Sequence, residues 1–125
     1  MKELKFFHCE ECGNVVALFV EGGGELVCCG QPMEELVAGT KDAAVEKHVP
    51  FVQRDGGKVE VQVGEVEHPM LDAHYIPFIA AVYGEKVEVV RLKPGDAPKA
   101  SFCCVEGPVV IYEFCNLHGL WKTEA

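Results

Sequence analysis

Lys58-Val59-Glu60-Val61-Gln62-Val63 is the stretch that decides the fold of most of this chain. Valine alternates with charged or polar residues along it, which is typical of a strand with one face in a core and the other in solvent. The same character predicts further strands at 76–83, 86–92 and 109–114. Turns are expected at 54–57, 84–85 and 94–96, where glycine or proline occurs. Short strands separated by such turns predict an antiparallel β-sandwich.

The N-terminal part has a different character, because glycine interrupts it at five positions between residues 13 and 30. Residues 15–20 predict a strand, and Gly22-Gly23-Gly24 a turn that returns the chain to residues 26–27. A core this small needs an additional staple to hold it together. We therefore predict two domains, 1–37 and 38–125. They are joined by a linker at 40–44, with one helical turn there capped by Thr40 or Asp42.

Composition narrows the class of protein. The chain has 125 residues, 49% of them hydrophobic and 25% charged, in short apolar runs that are too brief for a membrane span. A formal net charge of −9 argues against nucleic acid as a partner, since phosphate would be repelled. The start of the chain lacks the apolar stretch of a signal peptide, which predicts a cytoplasmic protein. Seven cysteines in a reducing compartment indicate metal ligation rather than disulfides.

Four of these cysteines form a complete four-sulfur set: Cys9, Cys12, Cys28 and Cys29. Two intervening residues let the first pair reach one metal from a tight turn, and tetrahedral thiolate coordination suits either zinc or a single iron. Gly13 and Gly30 each follow a cysteine, where positive φ would turn backbone N–H groups toward sulfur. The adjacent second pair should strain the angles between sulfur, metal and sulfur. The alternatives are a thioredoxin-like redox pair or two disulfides, but a redox pair would be expected to open a helix.

A second group of metal-ligand residue types lies further along: His48, His68, His74, Cys115 and His118. Neutral imidazole and thiolate are transition-metal ligands, and five of them exceed the four of a closed zinc site. Imidazoles from three segments could surround a metal with Cys115 as the axial ligand, which predicts iron with a sixth position free.

We expect other roles for the remaining histidine and the remaining cysteines. His8 is expected to be an exposed neighbour of Cys9. Cys103 and Cys104 could be ligands, but no histidine stands at ligand spacing from them, and we expect them to be buried free thiols.

Five segments occur here in a characteristic order: C-E-E-C-G-N (9–14), L-V-C-C-G-Q-P-M (26–33), E-K-H-V-P (46–50), E-H-P-M-x-x-x-H (67–74) and C-N-L-H-G-L-W (115–121). Together they resemble desulfoferrodoxin, the two-iron superoxide reductase family. The resemblance implies a desulforedoxin-like module with a distorted iron–tetrathiolate centre at the four N-terminal cysteines. It also implies an immunoglobulin-like β-sandwich whose iron is held by the four histidines, with Cys115 axial.

The resemblance has further implications for activity and partners. Glu46 and Lys47, just before the first histidine ligand, would belong to the active site. Lys47 would attract superoxide and Glu46 would close over the sixth position. The activity implied is one-electron reduction of superoxide to hydrogen peroxide, with an external donor such as rubredoxin and a homodimeric assembly. Two other hypotheses remain at this point: a rubredoxin-like electron carrier with an inert second site, and a zinc-ribbon binding module.

Overall fold

The computed structural model of this protein describes residues 4–39 and 45–125, the side chains of residues 45 and 46 excepted. It divides into two compact units, 2–37 and 38–125. In the described residues the only helix is the four-residue α1 (Val45–His48), so the protein is nearly all-β, as predicted. No helix in that part of the chain is long and apolar enough to cross a membrane. The linker expected at 40–44, with its caps Thr40 and Asp42, lies outside the described residues.

The small unit consists of five short strands: β1 (Lys5–His8), β2 (Val15–Leu18), β3 (Val27–Cys28), β4 (Gln31–Pro32) and β5 (Glu34–Leu36). β1 lies between β2 and β5, and β3 pairs only with β4. The expectation that the glycine turn returns β2 onto residues 26–27 was therefore wrong, since β2 pairs with β1 instead. Among the described residues of this unit, Phe6, Cys9 and Leu36 are the buried apolar ones, and a core of three side chains is too small to stabilise it alone.

The larger unit contains seven strands: β6 (Pro50–Asp55), β7 (Lys58–Val63), β8 (Phe78–Tyr83), β9 (Lys86–Arg91), β10 (Lys99–Phe102), β11 (Val110–Cys115) and β12 (Gly119–Glu124). They form two antiparallel sheets, in the orders β10-β7-β6 and β12-β11-β8-β9. The predicted sandwich is confirmed. Strand β8 begins two residues later than expected, and β6, β10 and β12 were not predicted.

The core of the sandwich lies between the two sheets. The odd-numbered valines of β7 are buried, as their alternation predicts, and they pack with Ile79 of β8 and Ile111 of β11. Cys115, the last residue of β11, belongs to the same buried cluster. A potential metal ligand therefore lies at one end of the hydrophobic core.

Candidate metal centres

All five predicted ligands of the second site lie at one end of the sandwich. His48 precedes the start of β6, and His68 follows the end of β7, which is paired with that start. His74 precedes β8, whose first residue pairs with the end of β11. Cys115 ends β11, and His118 directly precedes β12. Antiparallel pairing thus brings segments far apart in sequence to the same edge of both sheets.

The four imidazole rings form a closed circuit at this end. Ring centroids are 4.7 Å apart for His48 and His68, 4.8 Å for His68 and His74, and 4.8 Å for His48 and His118. The circuit closes between His74 and His118 at 5.1 Å. Each ring stands nearly perpendicular to its neighbour, at interplanar angles of 75° to 87°. Rings so arranged surround a common centre instead of stacking on one another.

The ring nitrogens converge on that centre. His48 Nε2 is 3.0 Å from His118 Nδ1 and 3.2 Å from His68 Nε2. Neighbouring nitrogens at right angles around one metal, each about 2.1 Å from it, would be about 3.0 Å apart. His74 Nε2 is buried and has no hydrogen-bond partner in the described residues. The donor set therefore fits a single metal ion, with Nε2 from three histidines and Nδ1 from His118.

Cys115 supplies a sulfur from the core side of this circuit. Its side chain is fully buried, and its Sγ lies 3.7 Å from His118 Nδ1. Burial raises the pKa of the Cys115 thiol, while the backbone N–H groups of Leu117 and His118 act on the sulfur in the opposite direction. Hydrogen bonds of this kind withdraw electron density from a thiolate and tune its donation to a metal.

The electrostatic environment favours neutral imidazoles at His68 and His74, and the neutral imidazole is the ligating form. Burial lowers the pKa of His68 to about 4, opposed by its hydrogen bond to the Pro69 carbonyl and assisted by the three other histidines. Burial also lowers the pKa of His74, with smaller contributions from His118 and from the charge of Lys47. Lys47 is exposed. Its effect on His74 means that a positive charge acts at the outer side of the site.

Other side chains hold the ligands in place, and sequence reasoning missed them. His68 Nδ1 lies 2.7 Å from the Pro69 carbonyl oxygen, so as the donor it leaves Nε2 free for a metal. Trp121 stacks on His48 with centroids 5.2 Å apart, and its Nε1 donates to the His118 carbonyl at 3.1 Å.

Asn116 connects the turn between β11 and β12 to the loop before β8 that carries His74. Its Nδ2 donates to the Ala73 carbonyl at 3.1 Å, and its Oδ1 accepts from the Tyr75 N–H at 2.9 Å. Its own N–H donates to the Tyr75 carbonyl at 3.2 Å. His74 is thereby clamped to the turn that carries Cys115 and His118. Only the position of Asn116 between these two ligands could have pointed to such a role.

Gly64 sets the position of the first two histidines. Its φ is +80°, and an added Cβ would lie 2.5 Å from the Lys47 carbonyl oxygen and 2.4 Å from that of Val66. Its N–H donates to the Val49 carbonyl at 3.2 Å. The end of α1 therefore packs directly on the backbone after β7, and only a residue without a side chain allows this approach.

The four N-terminal cysteines also come together, since their sulfurs all lie within 4.8 Å of one another. Cys28 Sγ is 3.6 Å from Cys12 Sγ and 3.9 Å from Cys29 Sγ. These separations far exceed a disulfide bond and match the edge of about 3.8 Å expected for a tetrahedral metal–sulfur site. Gly13 and Gly30 have positive φ, as predicted, and so does Cys29 at 52°.

Crowding moves the pKa values of these thiols apart. The pKa of Cys9 is lowered to about 7, first by the backbone N–H of Cys12, whereas that of Cys28 is raised to about 12, first by its contact with Cys9. Four sulfurs this close cannot all ionise unless a cation lies among them. The set therefore fits a metal ion better than free thiols.

Several predicted residues are placed differently or lie outside the description. Cys103 and Cys104 are exposed, so the expectation of buried thiols was wrong. They belong to neither group of candidate ligands in the described residues. His8 is half-buried, and not exposed as expected. The side chain of Glu46 lies outside the description. Glu113, two residues before Cys115, is fully buried with no hydrogen-bond partner for its carboxylate among the described residues, and burial raises its pKa well above the usual range.

Comparison with known proteins agrees with both sites. The model of the desulfoferrodoxin family matches residues 40–124, and that of the desulfoferrodoxin N-terminal domain matches residues 1–36. The chain is 46% identical over 123 residues to the desulfoferrodoxin of Syntrophotalea carbinolica, covering 98% of each chain.

Solved structures agree as well. The superoxide reductase of Treponema pallidum superposes with a TM-score of 0.77 at 33% identity, over 98% of this chain and 99% of that one. The one-iron superoxide reductase of Giardia intestinalis superposes with a TM-score of 0.57 at 30% identity, over 64% of this chain and 97% of that one. The four-cysteine and the histidine–cysteine sites are consistent with the two iron centres of desulfoferrodoxin. This chain belongs to the desulfoferrodoxin family.

Proposed function

We propose that this protein is a superoxide reductase, which reduces superoxide by one electron to hydrogen peroxide at a ferrous ion held by four histidines and one cysteine. The observation that carries the proposal is the circuit of four imidazoles with a buried sulfur on its core side. Similarity to solved superoxide reductases supports it. The reaction consumes one superoxide, one electron and two protons for each hydrogen peroxide formed.

Iron, when bound, would supply the electron and a coordination position for the small anion. Four histidines would hold the iron together with the buried Cys115: His48, His68, His74 and His118. Because the thiolate is buried in the core, solvent is kept from that side of the site. The N–H groups of Leu117 and His118 would limit how strongly the sulfur donates electron density.

Lys47 would attract the substrate. The protein carries a formal net charge of −9, so an approaching anion is repelled at long range and needs a local cation. Lys47 is exposed and its charge already acts on His74. Water ordered by the ammonium group would donate the protons that release peroxide. Glu46 stays in the proposal as the residue that closes over the open position afterwards, on the strength of its place in α1, two residues before His48.

The two domains would have different roles. Residues 1–37 would be the four-cysteine iron module and residues 38–125 the superoxide reductase domain. The four-sulfur iron would staple the small module or relay electrons. Replacing Cys12 with serine separates these roles, since full superoxide reduction by a folded variant excludes an obligatory relay. The protein would work in the cytoplasm, where the thiols of both sites stay reduced.

Exposed apolar side chains support the expected partners. Leu117 and Leu71 are 56% and 64% exposed, beside His118 and on a segment bridged to His74. They offer a contact surface for an external electron donor such as rubredoxin. On the small unit, Phe19, Val20 and Val27 are 69%, 81% and 57% exposed, which supports a homodimer. Sedimentation at several protein concentrations tests the dimer.

The deciding experiment counts products. Iron-loaded, reduced protein receives a known dose of superoxide, and both hydrogen peroxide and dioxygen are measured. A reductase yields one peroxide for each superoxide and no dioxygen, whereas dismutation yields half as much peroxide together with dioxygen. Peroxide at the dismutation ratio would refute the proposal.

Metal content and visible spectrum distinguish the two other hypotheses. Colourless protein that contains zinc at both sites would indicate a zinc-ribbon module. Coloured, redox-active protein that leaves superoxide unconsumed would indicate an electron carrier with an inert second site.

A further inference from the structure

Asn14 lies against the four-sulfur site without being one of its candidate ligands. It directly precedes β2, at the end of the turn that begins with Cys9 and carries the first two cysteines. Two backbone hydrogen bonds close that turn. The Cys9 N–H donates to the Asn14 carbonyl at 2.9 Å, and the Gly13 N–H donates to the Cys9 carbonyl at 2.8 Å. The backbone that carries the Asn14 side chain is therefore held in place beside the cysteines.

The side chain of Asn14 reaches across the site to the second pair of cysteines. Its Nδ2 donates to the Cys28 Sγ at 3.7 Å. A metal-bound thiolate can accept a hydrogen bond but has no proton to donate, so it favours the amide orientation that presents N–H to the sulfur. Cys28 ends β3, and the bond therefore links the first cysteine turn to the β3–β4 hairpin.

The negative charge that Asn14 faces depends on the oxidation state of the iron. The four thiolates outweigh the charge of either iron ion, and the site gains a further negative charge when ferric iron is reduced to ferrous iron. Cys28 Sγ lies 3.6 Å from Cys12 Sγ and 3.9 Å from Cys29 Sγ, so this charge is confined to a small volume. An N–H group that points at a sulfur therefore stabilises the reduced site more than the oxidised one.

We propose that Asn14 raises the reduction potential of the four-sulfur iron through its hydrogen bond to Cys28, so that the ferrous form is favoured. The step concerned is the transfer of one electron from an external donor to ferric iron. Because Asn14 is exposed, water replaces part of what is lost when its amide is removed. We therefore expect a change of about fivefold in the ratio of ferrous to ferric iron, which is ~40 mV for a one-electron couple. The inference requires iron at the four cysteines and does not depend on superoxide reduction at the histidine site.

The test is a redox titration of the iron-loaded full-length chain, followed through the visible absorption of the four-sulfur site. Asn14→Ala removes the donor, whereas Asn14→Gln keeps an amide N–H on a longer side chain. Gln31→Ala is the matched control, because Gln31 is exposed and pairs with Cys28 across the β3–β4 hairpin. The same spectra give the energy of the sulfur-to-iron charge-transfer band, which responds to hydrogen bonding at the sulfur.

We expect Asn14→Ala to lower the reduction potential by ~40 mV and to move the charge-transfer band to longer wavelength, since a sulfur without this bond donates electron density more readily. Asn14→Gln should retain most of the wild-type potential, and Gln31→Ala all of it. An unchanged potential in Asn14→Ala would overturn the proposal, as would equal shifts in Asn14→Ala and Gln31→Ala.

Asn14→Asp keeps the inference testable if Asn14→Ala does not hold iron. The carboxylate has the size of the amide but cannot donate a hydrogen bond, and it adds a negative charge beside the sulfur. This variant should have a lower potential than Asn14→Gln by more than the ~40 mV expected for the alanine variant. Equal potentials in Asn14→Asp and Asn14→Gln would overturn the proposal.

Discussion

Asn116 gives the sharpest test of how the histidine site is held together. Its side chain makes two hydrogen bonds to the segment that carries His74, while its neighbours Cys115 and His118 approach the same centre. Asn116→Ala removes both bonds without touching a ligand. The third bond, from the Asn116 N–H to the Tyr75 carbonyl, is made by the backbone and remains.

The expected cost follows from those two bonds. Each is worth about 1 kcal/mol, and the Tyr75 N–H is only partly accessible to water that could replace its lost partner. The hydrogen bonds that hold the segment around His74 in place should therefore be weaker by about 2 kcal/mol in total. If this loss appears wholly in metal binding, the association constant for iron at the histidine site falls about thirtyfold.

Competition with an iron chelator, followed through the visible absorption of the site, measures this constant. Asn116→Asp keeps the acceptor for the Tyr75 N–H and loses the donor, so its effect should be smaller. Ser101→Ala, which removes a side-chain hydrogen bond to Glu60 elsewhere in the sandwich, is the control and should leave iron affinity unchanged. Equal iron affinity in Asn116→Ala and in the control would refute the clamp.

Four further outcomes are expected. Gly64→Ala should lower the free energy of unfolding by about 3 kcal/mol in denaturant titrations, because the added Cβ would collide with backbone atoms. The control Gly84→Ala is at a position with positive φ but no atom near the added Cβ, and it should lower the free energy of unfolding by about 1 kcal/mol. Lys47→Ala should slow superoxide capture about tenfold and flatten its dependence on ionic strength in pulse radiolysis, and an unchanged rate removes this residue from the mechanism. Cys115→Ser should abolish the thiolate-to-iron charge-transfer colour of the oxidised protein, and a surviving band means that Cys115 is not a ligand. In the iron-free protein, the free energy of unfolding should fall by about 2 to 3 kcal/mol as the pH falls from 6.5 toward 4. The reason is that His68 takes up a proton in this range in the unfolded chain but not in the folded one. Urea unfolding at pH 7 and 4.5 measures this difference, and equal free energies of unfolding would contradict the prediction.

The regular part of the sandwich was predictable because its buried strands follow simple patterns. The alternation of β7 places Val59, Val61 and Val63 in the core, as observed. Strand β6 was missed because it lies at a sheet edge and buries little besides Pro50. Such a strand needs no alternation, so its sequence carries no period-2 signal.

The site could be predicted only as a list of residue types. Spacing and motif order pointed to the histidines and cysteines that the fold brings together. The roles of Asn116 and Gly64 depend on contacts between distant segments, which no local pattern contains. The error at Cys103 and Cys104 has a related cause, because cysteine is usually buried and the exposure of their loop appears only in three dimensions.

Trp121 is the only tryptophan in the chain, and it stacks on His48. The tryptophan fluorescence of the protein therefore originates beside one candidate ligand. Iron occupancy and the oxidation state of the site should alter this emission without any added label. The molecule thus contains its own optical probe, with which loading and loss of iron at the second centre can be followed.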